Sequence, residues 1–203
     1  MTNLDKALAE ITAIRGQMAR ATEFRGFGPL TSAMTGVLAV AAALGQAFWI
    51  RDAPHHAVAW LSLWTATACV SIGLIGAEMV TRSRRLHSNL AEDMIRTAIE
   101  QFLPAAAAGA LITVVLFRFA PQSLWLLPGL WQVLFSLGVF ASCRFLPRSI
   151  AIVGFWYLAC GLACLAMAQG EYALSPWTMG VAFGVGQWLG AVLLQRSLGN
   201  DHG

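Results

Sequence analysis

A chain of 203 residues that is 58% hydrophobic and 11% charged, with mean hydropathy +0.65, is not an ordinary soluble domain. Such domains carry about 25% charged residues. The net charge of +3 does not call for a nucleic acid, because no basic patch interleaved with aromatics is present. The four cysteines lie within or at the edges of apolar segments, so no disulfide framework is expected.

Residues 1–26 are polar overall, with no apolar core of the signal-peptide kind and no small-residue cleavage site. Leu4, Ala7, Ile11, Ile14, Met18 and Ala21 recur at alternating spacings of three and four, which predicts an amphipathic helix. Asn3 suits its N-cap, with Asp5 in the first turn. A helix of this kind lies in the headgroup plane or pairs with a partner helix through its apolar seam. Gly26, Gly28 and Pro29 then end it and turn the chain into the bilayer.

Six apolar segments follow, roughly 29–50, 57–80, 102–120, 124–143, 149–168 and 174–194. Each is near the ~20 residues a helix needs to cross ~30 Å of hydrocarbon. The predicted architecture is an all-α polytopic membrane protein: an N-terminal interfacial helix (1–26), then a six-helix transmembrane domain (27–203). The six helices form three hairpins, 27–80, 102–144 and 147–196, with an amphipathic connection at 81–101.

Basic residues orient this bundle. With a cytoplasmic N-terminus, Lys6, Arg15, Arg20, Arg25, Arg82, Arg84, Arg85, Arg96, Arg144, Arg148 and Arg196 fall on one side, and only Arg51 and Arg118 on the other. That asymmetry in short loops predicts both termini in the cytoplasm of a bacterial-type inner membrane, with the basic loops facing anionic headgroups.

The hairpins repeat. Trp60 and Gly73, Trp125 and Gly138, and Trp177 and Gly190 share one spacing of thirteen residues. Each Trp suits the outer interface, and each Gly a close helix approach. Pro29, Pro104 and Pro147 stand near the starts of the odd-numbered spans. Phe102-Leu103-Pro104 and Phe145-Leu146-Pro147 are the same tripeptide. Gly180 with Gly184, and Gly186 with Gly190, form two offset GxxxG pairs on the last helix.

Candidate chemistry is sparse. Ionisable residues near the bilayer midplane usually mark coupling or catalysis, and no span carries one there; Glu78 and Arg118 come nearest. Glu78, four residues before Arg82, reads either as half of an interfacial ion pair or as a gating carboxylate. Cys160 and Cys164 share a helix face as small apolar filler. His55, His56 and Asp52 could form a surface metal site, although loop histidines are more commonly just solvated. No P-loop, nucleophile elbow or zinc-protease helix occurs, and the only lysine, Lys6, lies outside the spans. An enzyme is therefore disfavoured and no cofactor is called for.

The polar residues within the spans are neutral. Gln46, Gln132 and Gln187 stand on stripes of small residues: Ser32, Thr35, Ala39 and Ala42; Gly129, Ser136 and Cys143; and Gly180, Gly184 and Ala191. Such stripes either pack helices or line a narrow polar path. A path would run past Gln46, Gln132, Gln187 and Glu78, while Gly73, Gly138, Gly180, Gly184, Gly186 and Gly190 would serve helix packing.

Gly129-Leu130-Trp131, and Glu78 followed by basic residues, distantly resemble the acetate-uptake family, which like the urea channels builds six helices from three hairpins. Of that family's Asn-Pro-Ala-Pro-Leu-Gly motif only Pro29-Leu30 is present, so no site residue transfers. Two functions stand: a small-solute channel or facilitator, or a non-catalytic accessory subunit binding a partner protein through its cytoplasmic face. The lipid bilayer is a partner in either case, and a homo-oligomer fits both.

Overall fold

In hydrocarbon a backbone must satisfy its own N–H and C=O groups, so each apolar segment becomes a helix. A computed structural model describes residues 28–50, 53, 56–86, 89–143, 148–167, 172 and 174–199, apart from the side chains of 82–96, 98, 148, 198 and 199. The helix expected over 1–26, and His55 and Asp52, lie outside these residues.

The helices are α1 (Pro29–Trp49), α2 (Ala57–Leu86), α3 (Asn89–Phe119), α4 (Leu127–Ser142), α5 (Ala151–Met167) and α6 (Pro176–Gly199). Short 3-10 turns, Pro121–Leu126 and Arg148–Ile150, lead into α4 and α5. No strand occurs among the described residues. Among the described residues, five spans are long and apolar enough to cross a membrane: Pro29–Trp49, Ala57–Thr81, Ile99–Phe119, Pro121–Ser142 and Pro176–Ser197. The remaining apolar helix, α5, has 17 residues, about 25 Å at 1.5 Å per residue.

Proline sets several boundaries. Pro29 opens α1 directly after the N-cap Gly28, where a missing N–H costs nothing. Pro104 instead lies inside α3, where it withdraws one helical donor. α2 continues to Leu86, and α3 begins at Asn89 and runs unbroken through Ile99.

Neighbours follow one another around the bundle: α1 packs on α2, α3 on α4, α4 on α5, α5 on α6, and α6 back on α1, while α2 barely meets α3. Consecutive pairs do touch as the hairpins predict. The closest pairings, however, are α1 with α6 and α4 with α5, both between different hairpins. Glycine is the reason. At α1–α6, Gly36 faces the Gly184 carbonyl, and Gly180 leaves room for the Ala43 methyl. At α4–α5, Gly129 and Gly161 each face the other's carbonyl. Close backbone approach of this kind recovers dispersion energy that lipid-facing side chains cannot supply.

α2 and α3 flank this four-helix core. The α3 span buries none of its residues, and Leu111, Val114 and Val115 face outward, as do Val58, Val70 and Ile72 of α2. At the tryptophan-rich end, Ala42, Ala43, Trp60, Trp64, Leu127, Leu174 and Met179 form the main apolar cluster. Val139, Ile150 and Leu194 form a smaller one at the opposite end.

Candidate functional site

The polar side chains inside the bundle are placed by α1. Ser32, Thr35, Ala39, Ala42 and Gln46 recur at spacings of three and four, which puts them on one face. α6 covers that face, burying Thr35, Ala39, Ala42 and Gln46. Gln46 is 0% exposed. Its Nε2 donates to the Leu174 carbonyl at 2.6 Å, and its Oε1 accepts from Trp64 Nε1 at 2.7 Å. One side chain thereby joins α1, α2 and the start of α6.

Gln132 on α4 is equally buried, and its Nε2 donates to the Thr178 carbonyl of α6 at 2.9 Å. Turning the amide over would set oxygen against oxygen, so the donor side is fixed. Its Oε1 has no partner among the described residues. Beside it, Trp131 stacks on Trp60 with ring centroids 5.6 Å apart and planes 20° apart. Trp131 Nε1 donates to Thr113 Oγ1 at 2.8 Å, and that hydroxyl donates back to the Gly109 carbonyl. Other indoles act alike: Trp156 donates to Ala182 O and Trp188 to Ala33 O.

Deeper along the axis the interior is aromatic. Phe135 of α4 meets Phe102 of α3 at 5.3 Å, Tyr157 of α5 at 4.7 Å and Phe183 of α6 at 5.4 Å. This cluster lies between the buried Gln132 and the Ser32–Gln187 pair, in which Ser32 Oγ donates to Gln187 Oε1 at 3.2 Å. Gln187 is half-buried. The three glutamines stand at two levels of the bundle. Two are bonded across helices at the tryptophan-rich end, and the third lies beyond a layer of rings.

Glu78 stands at the far end, where its Oε2 accepts the backbone N–H of Gly28 at 3.1 Å. Gly28 is the N-cap of α1 and has no side chain to cap with. A carboxylate from α2 thus serves the first turn of α1, where unsatisfied donors and the positive end of the helix dipole favour an anion.

The glycines expected to pack behave unequally. Gly138 receives the Phe102 ring, Gly180 and Gly184 receive Ala43 and Val40, and Gly186 receives the Tyr157 ring. Gly190 has ordinary contacts to Ser32 and Val153 at 3.8 Å. For Gly73, nothing among the described residues lies within 4 Å of where its Cβ would be. The cause is angular. Thirteen residues along an α-helix leave two side chains roughly 140° apart, so a Trp and a Gly at that spacing face different ways. On α6, Trp177 is exposed and Gly190 buried. On α2, Trp60 is 1% exposed, which turns Gly73 outward.

Among the described residues no group of His, Cys, Asp and Glu could hold a metal, and all four cysteines are free. Sequence reasoning passed over Tyr157, which is 0% exposed and packs on Phe135 and Phe183 in the aromatic cluster. It is one of two tyrosines in the chain, and a tyrosine in mid-span, away from the interface it prefers, was the available signal. Gly129 and Gly161, the closest contact of α4 with α5, carried no motif that marked them as a pair. The chain matches no protein-family model, no curated protein and no solved structure, so the acetate-uptake resemblance gains no support.

Proposed function

We propose that this chain is a six-span membrane protein, both termini cytoplasmic, serving as a non-catalytic accessory subunit that docks a partner protein through its cytoplasmic face. The observation that carries this reading is the complete burial of Gln46 and Gln132, with their amide donors committed to carbonyls of a neighbouring segment. Side chains lining a solute path present free donors and acceptors to it; these act as bridges between helices. The aromatic layer of Phe102, Phe135, Tyr157 and Phe183 adds to the argument. One atom favours the alternative of a small-solute facilitator: the unpartnered Gln132 Oε1.

Liposomes containing the purified protein separate the two. Swelling with small neutral solutes and short carboxylic acids should match that of protein-free liposomes. Flux that Gln132→Leu abolishes would overturn the accessory reading and restore the facilitator.

Six spans require α5 to cross with its neighbours. Its close packing along α4 and its contact with α6 support that, and 17 residues is the short end of what spans a bilayer. Exposed Phe48, Trp49, Phe119, Tyr172 and Trp177 gather at one end of the bundle, as an interfacial aromatic belt does. Reporter fusions after Ala53 and Gly170 should read as external, and those after Arg85 and at Gly203 as internal. An internal signal after Gly170 would mean that α5 does not cross.

A further inference from the structure

We propose that an anionic phospholipid binds in the open seam between α2 and α3, its phosphate held by the arginines at the linked ends of these two helices. The helices part because they lean on different supports. Away from the link, Trp60 of α2 stacks on Trp131 of α4, and Leu116 of α3 packs on the same apolar cluster. Toward the link, α2 turns to α1: Met79 is buried, and Glu78 accepts the Gly28 N–H. There α3 stays on α4, where Phe102 fills the space left by Gly138 and meets Phe135. α1 and α4 are not close neighbours, so α2 and α3 diverge over this half.

The diverging stretch is apolar and open. Among the described residues, nothing lies within 4 Å of a Cβ at Gly73 or Gly76, and Ile72, Val80, Ile99 and Leu103 are exposed. Charge gathers at its rim. The α2 span ends at Thr81 and the α3 span begins at Ile99. Arg82, Arg84 and Arg85 follow the first, and Arg96 precedes the second. Only residues 87 and 88 separate Leu86 from Asn89, which keeps the two helix ends within about 11 Å of each other. All four arginine positions therefore lie within about two helical turns of one link, and they outnumber Glu78 and Glu100 at that level.

That combination selects the ligand. An apolar seam below a cationic rim suits a molecule with hydrocarbon chains and an anionic head, and arginine matches phosphate oxygens in bidentate geometry. A zwitterionic phospholipid brings its own ammonium to the same rim, where like charge disfavours it. The site needs only that α2 and α3 cross a bilayer, and it is independent of a docked partner protein.

Spin-labelled tracer lipids in phosphatidylcholine nanodiscs test the site. The immobilised fraction should favour phosphatidylglycerol over phosphatidylcholine by about fivefold or more. Arg82→Gln, Arg84→Gln and Arg85→Gln together should bring that ratio close to one. Gly73→Leu with Gly76→Leu should lower it too, with every arginine in place, because leucine fills the seam. Thermal midpoints in phosphatidylcholine alone, expected to match the unsubstituted protein, separate loss of the site from loss of the fold. No preference between headgroups, or a preference that survives either set of substitutions, would overturn the proposal. So would a dimer that Gly73→Leu splits, since it would seat a second copy in the seam.

Discussion

Gly161→Ala should destabilise the bundle by about 1–3 kcal/mol, whereas Gly73→Ala should not destabilise it at all. A Cβ at Gly161 would stand 2.9 Å from the Gly129 carbonyl oxygen and 3.0 Å from the Val133 backbone nitrogen. Neither obstacle is a side chain that can change rotamer, so α4 and α5 must move apart. That separation also disturbs the seat of Gly129, whose own Cβ would meet the Gly161 carbonyl at 2.9 Å. Gly73 has open space instead, and alanine there gains up to about 1 kcal/mol of helix propensity. Thermal midpoints of the two variants in lipid nanodiscs provide the comparison. Similar behaviour of the pair would mean that α2 and α5 are not rotated as described.

Gln46→Leu should cost about 1–3 kcal/mol without any transport phenotype. The substitution strands two buried groups at once, the Leu174 carbonyl and Trp64 Nε1, which Gln46 bonds at 2.6 and 2.7 Å. Leucine is close to glutamine in volume, so the loss reports hydrogen bonds rather than a cavity. Gln187→Leu should cost less, because Gln187 is half-buried and its bond from Ser32 is long, at 3.2 Å. Stability curves of both variants under one lipid condition test the order. A neutral Gln46→Leu would show that the α1–α2–α6 junction rests on its apolar cluster alone.

Hydropathy by itself determined most of this architecture. A run near 20 apolar residues can only be helical in lipid, and α1, α2, α3 and α6 each lie where such a run stands in the sequence. That Thr35, Ala39, Ala42 and Gln46 share a face was also legible, because four residues at helical spacing define a face whatever covers it. What the sequence could not hold was the rotation of each helix and the identity of its neighbour. The thirteen-residue Trp–Gly spacing recurs in three segments, yet it points Trp60 inward and Trp177 outward. The contacts that settle this, Trp60 on Trp131 and α1 on α6, join positions far apart in the chain. The hydrogen-bond partners of the glutamines were decided in the same way. A lone Gln in a span does not name its partner, and packing alone decides which carbonyl comes within 3 Å of it. For Gln46 that carbonyl is Leu174, 128 residues away. For Gln132 it is Thr178, at the start of α6.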